Sequence, residues 1–185
     1  MTDFRQAHGN GVILALDQMS AYLQATLTRV WSPIGQTPYT WVTPQRDCVH
    51  FYGALDVISG QEVALPLPKL DGDHTIHFLT HLIACFPKRP ILLLWDRAPW
   101  HKGKARAFVE AHPQLDTFYF PPGCPDLNPQ EHVWKQTRDA VGHLHDYRHV
   151  SDLRQAFHTH LDNTLFQFDW IAKYLPSILY ESVFV

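Results

Sequence analysis

Three acidic residues are spaced so that folding could gather them into one cation-binding site. Asp17 closes a short apolar run over residues 11–17, and Asp96 closes another, Ile91-Leu-Leu-Leu-Trp95. Glu131 stands in a predicted first helical turn behind the proline-rich stretch Pro121-Pro-Gly-Cys-Pro125. Aspartates at adjacent strand ends would lie a few ångströms apart, and such charges are costly together unless cations neutralise them. Oxygen-only donors select hard ions such as magnesium or manganese. In two-metal phosphoryl-transfer sites such ions sit about 3.5–4 Å apart, one activating the nucleophile and the other steadying the leaving oxygen. The surroundings of Asp96 suit a phosphate. Lys88, Arg89, Arg97, Lys102, Lys104 and Arg106 accompany this single acid, although charge alone fits a solvated helix face equally well.

Each carboxylate also has a plainer reading. Asp17 could be a strand-end turn residue, and Asp96 could cap the helix that follows. Glu131 lies three residues after Asn128, the spacing of a capping box. Only the combination argues for chemistry, so the elements that must position the three residues decide between the readings.

Residues 11–17 read as a buried strand, and residues 22–30 partly alternate and could form a second. Residues 31–44 are a turn-rich excursion. Residues 48–58 and 61–67 read as a hairpin joined at Ser59-Gly60. A helix follows over 73–86, with Ile76, Leu79, Ile83 and Phe86 at helical spacing. Residues 91–95 form a continuous apolar run, as in a parallel strand covered on both faces. Then come a helix over 102–112, a strand over 116–120, a helix over 128–141 with Asn128 as N-cap and Pro129 at its first position, and a last helix lined by Leu153, Phe157, Leu161, Leu165 and Phe168. The order indicates an α/β domain with a mixed sheet. A right-handed crossover through the 73–86 helix would set the 92–96 strand parallel to the first, bringing Asp17 and Asp96 to one sheet edge.

Bulk properties bound the rest. With 185 residues, 45% of them hydrophobic, 18% charged and a net charge of -3, the chain suits one globular domain rather than a disordered segment. No apolar run approaches a membrane span, and the early one is too short for a signal peptide. Cys48, Cys85 and Cys124 form no pair at metal-ligand spacing, so a reducing cytoplasm is expected.

Three segments resemble the mariner superfamily of transposases, in its bacterial insertion-sequence branch. Leu94-Trp-Asp-Arg-Ala-Pro-Trp-His101-Lys102 resembles that family's D-N-A-P-x-H-K segment. Residues 121–134 resemble its P-P-Y-S-P-D-L-N-P-I-E-x-x-W element, a specific signal, and residues 31–38 its W-x-P-x-G-x-x-P turn. The 34 residues between Asp96 and Glu131 match the family's spacing, and the similarity runs over about 12–170.

The resemblance implies a ribonuclease-H-like fold, a mixed five-stranded sheet flanked by helices, with residues 1–185 as a single catalytic domain. It implies Asp17, Asp96 and Glu131 as catalytic residues and ligands of two magnesium or manganese ions. The reaction is then hydrolysis of DNA phosphodiesters and transfer of the freed 3′-hydroxyl to target DNA. The expected partners are transposon ends, target DNA, a second copy of the chain and a separately encoded DNA-binding subunit. No membrane is expected, and the setting is the bacterial cytoplasm beside the nucleoid. Arg97, His101, Lys102, Lys104, Arg106 and Lys135 are the candidate DNA contacts, with His101 equally readable as structural.

Four departures stand against this. Gln18 replaces the family's glutamate after the first aspartate, Arg97 replaces its asparagine after the second, and Gly123-Cys124 replaces its Tyr-Ser. The family's helix-turn-helix modules are not expected ahead of residue 12. A catalytically inactive remnant that binds DNA or a partner is therefore the alternative. A zinc hydrolase built on the thirteen histidines is a weaker one, because His74, His77 and His81 read as the wet face of a helix and His143, His145 and His149 as an exposed loop. The C-terminal aromatics are read as core through Trp170.

Overall fold

The computed structural model describes residues 1–24, 31–39, 46–143, 147–169 and 171. Five strands form one sheet in the order β3-β2-β1-β4-β5. They are β1 (Val12–Tyr22), β2 (Cys48–Asp56), β3 (Glu62–Leu67), β4 (Ile91–Trp95) and β5 (Leu115–Tyr119). The β1–β2 and β2–β3 pairs are antiparallel, whereas β1–β4 and β4–β5 are parallel. The expected mixed five-stranded sheet is thus present. The helices are α1 (Thr2–Ala7), α2 (Gly72–Cys85), α3 (Lys104–Glu110), α4 (Pro129–Thr137) and α5 (Val150–Asn163).

Side chains alternate across a strand, so the central strands are apolar on both faces only if both are covered. Val12, Leu14 and Leu16 of β1 join Phe78, Leu79 and Leu82 of α2 and Ala105 and Val109 of α3 in one core. Ile13, Ala15 and Met19 face the other way and join Val133 and Trp134 of α4 and Leu153, Phe157 and Leu161 of α5. Asp17 continues the second row, so it lies on the α4 side.

Several elements differ from expectation. β1 does not stop at Asp17. β2 pairs with it as far as Tyr22, so backbone hydrogen bonds carry the strand five residues further. Whatever second strand residues 25–30 could form lies outside the described residues. The buried face of α2 is Thr75, Phe78, Leu79 and Leu82, while Ile76, Ile83 and Phe86 flank it. α3 starts two residues late, because Pro99–His101 forms a 3₁₀ turn and Gly103 takes φ 57°. α4 gives way to a π-helical turn over Arg138–Gly142. α5 ends at Asn163, which leaves Leu165 exposed and Phe168 packed from beyond the helix. Trp170, Tyr174, Tyr180 and Phe184 lie outside the described residues, as does His145. α1 carried no signal that was read from the sequence.

Candidate active site

The β1–β4 register brings two of the carboxylates together. Ile13 pairs with Leu92 and Ala15 with Leu94, so two residues further on Asp96 comes level with Asp17. β4 ends at Trp95, which frees Asp96 from the ladder while Asp17 remains in it, opposite Gly53 of β2. Asp17 is therefore a mid-strand carboxylate, not a turn residue.

Glu131 comes from α4, whose start is tied to β1. The Asn128 side-chain oxygen accepts from the Gln130 N–H at 3.1 Å, capping the helix. Its amide donates to the Leu16 carbonyl at 3.0 Å, next to Asp17. The Asn128 N–H is taken by the Pro125 carbonyl at 2.8 Å. A capping box would have Glu131 accept that N–H. With it occupied, the plainer reading of Glu131 loses its partner, and the side chain lines the cleft instead.

The cleft has a volume of ≈ 310 Å³. Asp17, Asp96 and Glu131 line it together with Arg97, Asn128 and the proline loop from Phe120 to Pro125. Gly123 gives that loop its left-handed turn at φ 73°.

Electrostatics shows that the acids face one another. Burial, then the Glu131 charge and more weakly that of Asp96, push the Asp17 pKa from 3.8 up to about 7. Hydrogen bonds from the Gln18 N–H and the Trp134 indole, the latter at 3.1 Å, only partly offset this. Asp96 behaves oppositely. Burial works to raise its pKa, but hydrogen bonds from His101 and the Ala98 N–H outweigh that and hold it below the usual carboxylate range. Both bonds fall on Oδ1, at 2.6 Å and 3.0 Å. The Ala98 contact is a local side-chain turn, and Asp96 caps no helix, since Ala98 and Gly103 hold the N-cap positions of the two segments that follow.

Three carboxyl groups on one cleft, two of which oppose ionisation of the third, Asp17, offer hard oxygen donors that fit a divalent cation by charge and chemistry. Their spacing is looser than a closed cage. Among the described residues no group of three or more His, Cys, Asp or Glu side chains is close enough to hold an ion as it stands. The same holds for histidine sites. His74 bonds Asp71 at 2.6 Å and His81 faces Cys85 at 3.5 Å, each as a pair.

α4 sits on the sheet through a second buried contact. Gln130 donates to Glu62 of β3 at 2.7 Å, and burial drives the Glu62 pKa well above its ordinary value. Gly53 lies beneath this contact, and a Cβ there would run into the Gln130 amide, the Trp134 ring and the Glu62 carboxyl. Gly53 is needed for close approach, not for a turn.

The basic candidates divide. Arg97, Lys102 and Arg106 line a hollow of ≈ 270 Å³ that adjoins the cleft at Arg97 and includes Tyr119 and His101. The Arg97 guanidinium lies over the Tyr119 ring at 5.9 Å. Lys104 instead pairs with Asp73 of α2 at 2.9 Å. Lys135 is exposed in the last turn of α4. His101 is only 2% exposed, with its ring nitrogens turned to Asp96 and Trp95, so it lies behind Asp96 rather than towards a phosphate.

Sequence reasoning passed over Asn128 beyond its capping role, Trp134 as a donor, and Glu62. Asn128 and the Trp134 indole are polar groups at buried positions, and Glu62 is half-buried.

A family profile described as DDE superfamily endonuclease matches residues 12–154. No protein of curated function matches the chain by sequence. Among solved structures, the Mos1 transposase paired-end complex with left transposon end superposes with TM-score 0.68 at 15% identity, over 98% of this chain and 57% of that one. The chain thus spans little more than half the length of that transposase. The Mos1 transposase catalytic domain with raltegravir and Mg gives 0.63 at 14% identity, over 98% and 87%. The catalytic core domain of BIV integrase gives 0.52 at 11% identity, over 86% and 88%. These likenesses show the ribonuclease-H-like fold. Among the described residues no helix is long and apolar enough to cross a membrane.

Proposed function

The chain belongs to the DDE superfamily endonucleases, and from that premise we propose that it is the catalytic domain of a DNA transposase, hydrolysing DNA phosphodiesters and joining the freed 3′-hydroxyl to target DNA. The observation that carries this reading is the register that sets Asp96 level with Asp17, with Glu131 on the same cleft.

Asp17, Asp96 and Glu131 would hold the metal, two magnesium or manganese ions. When bound, these would neutralise the carboxylates and supply the Lewis acidity that phosphoryl transfer needs. The chain's own contribution is placement. Trp134 holds one oxygen of Asp17, the Asn128 tether fixes where α4 begins, and the Ala98 N–H and His101 hold Asp96 by Oδ1. The proline loop walls the cleft beside the scissile phosphate. Arg97, Lys102 and Arg106 would take the DNA backbone beyond it, contacts that position without reading sequence. Lys135, exposed one helical turn beyond Glu131 on α4, would add a further backbone contact. The DNA partner is supported by the Mos1 neighbour, whose structure is a complex with a transposon end. Residues 1–185 as one catalytic domain, a second copy, a separately encoded end-recognising subunit and a bacterial cytoplasmic setting at the nucleoid complete the proposal.

A nicking assay on supercoiled DNA with magnesium tests it. Wild type should nick, and Asp96→Asn should lose at least a hundredfold in rate. Equal nicking by the variant would remove Asp96 from the reaction.

A non-catalytic remnant is the second reading. It is favoured by the loose spacing of the acids among the described residues and by the Arg97 cation on the cleft wall. Calorimetry with manganese, with and without DNA, separates the two, since the remnant binds none.

A further inference from the structure

His101 closes the 3₁₀ turn that precedes α3, where exposure would be ordinary, yet it is 2% exposed. Its Nε2 lies 2.9 Å from Trp95 Nε1, with the two rings 4.2 Å apart between centroids. Its Nδ1 lies 2.6 Å from Asp96 Oδ1. An indole nitrogen can only donate. Trp95 therefore aims a proton at Nε2, and that nitrogen must present its lone pair. The ring proton is left on Nδ1, which faces the carboxylate in a 2.6 Å ion-pair contact whose angle falls short of a hydrogen bond in the metal-free fold. A tryptophan thus selects the histidine tautomer, and the tautomer selects which oxygen of Asp96 is held.

Gln18 contributes from β1. Its side-chain Oε1 is placed 3.1 Å from the same Nε2. With the indole proton aimed at Nε2, the amide meets this contact by presenting its NH₂ end, a turn that leaves its outline unchanged.

Asp96 Oδ1 therefore carries two contacts, the ion pair with His101 Nδ1 at 2.6 Å and the hydrogen bond from the Ala98 N–H at 3.0 Å. Among the described residues no hydrogen bond is made to Oδ2, and the side chain is 43% exposed. We propose that His101, locked by Trp95, is a positioning residue that fixes the Asp96 carboxylate by Oδ1 and reserves Oδ2 for a divalent ion. This rests on the reading of the three acids as an ion site. Metal sites with a ligating carboxylate use such partners widely, and their loss costs about 10–100-fold in metal affinity.

The test pairs manganese calorimetry with nitrogen spectra of the histidine rings in the metal-free chain. His101→Asn keeps a donor near the Nδ1 position, and its spectrum assigns the His101 signals by difference. His101→Leu keeps bulk without a donor, and Trp95→Phe removes the indole N–H. Wild type should show a protonated Nδ1 and a bare Nε2 at His101. His101→Leu should bind manganese about 10–100-fold more weakly, with His101→Asn restoring most of the affinity. Trp95→Phe should mix the two tautomers and weaken binding severalfold. A role in packing alone would move neither the tautomer nor the asparagine rescue. Wild type carrying its ring proton on Nε2 would overturn the proposal, as would His101→Leu binding like wild type. A wild type that binds no manganese would instead sink the ion-site reading, and this proposal with it. If His101→Leu fails to fold, the asparagine variant and Trp95→Phe still decide.

Discussion

Asp17→Asn should stabilise the metal-free protein, although it removes a residue proposed as essential. The carboxyl ionises near pH 7 in the fold and near 3.8 in the unfolded chain, because burial and the Glu131 and Asp96 charges oppose its ionisation. Between those values the folded state holds a proton that the unfolded state has lost. Stability from this group is therefore full below about pH 4 and falls as pH rises through about 7. At about 1.36 kcal/mol per pKa unit, the ionised form costs the fold up to about 4 kcal/mol above neutrality. Asparagine carries no charge and keeps an oxygen for the Trp134 indole. Urea denaturation from pH 4 to 8 reads the difference. The variant should match wild type near pH 4, gain steadily through pH 5 to 7, and be more stable by about 2–4 kcal/mol at pH 8. Manganese should reverse the order at pH 8, since binding to the folded state adds stability only to wild type. A difference that is flat with pH, or a variant less stable at pH 8 without metal, would refute the claim that burial and the neighbouring charges oppose ionisation of Asp17.

Other substitutions probe the scaffold. Trp134→Phe removes the donor to Asp17 and should lower manganese affinity by about tenfold by calorimetry, with the fold kept. Asn128→Ala loses both the cap and the tether to Leu16, and should cost about 2–3 kcal/mol in thermal or urea unfolding. Gly53→Ala pushes a methyl group into Gln130, Trp134 and Glu62, and should cost about 1–3 kcal/mol while shifting α4 enough to weaken metal binding. Lys102→Ala should weaken DNA binding equally for all sequences and reduce the salt slope by about 1, as read by fluorescence anisotropy across a salt series. Lys104→Ala should change that slope less than Lys102→Ala, since Lys104 lies outside the hollow and faces Asp73.

What was legible in the sequence was whatever depends on local pattern. The apolar runs before Asp17 and Asp96 marked strands covered on both faces, and Asn128-Pro129 marked the start of α4 to the residue. Strand length was not legible, because β1 runs past Asp17 only by virtue of pairing with β2, a partner at a distance in the chain. The plainer reading of Glu131 could be dismissed only once the Asn128 N–H was seen to be taken by Pro125. His101 was readable equally as a DNA contact or as structural, because nothing local in the sequence decides whether its side chain is buried. Its burial follows from the Trp95 ring, which the pleat sends to the α2 side. Of six basic residues around Asp96, only geometry separates Arg97, Lys102 and Arg106, which share a hollow, from Lys104, which is bound to α2.

A crystal structure of the chain with manganese, read by its anomalous signal, bears most directly on the ion site. Density should lie among Asp17, Asp96 Oδ2 and Glu131, with Asp96 Oδ1 still on His101 and the acids drawn closer than in the metal-free fold. Manganese at saturating concentration with no peak between these side chains, or Glu131 turned away from the other two with α4 intact, would contradict it.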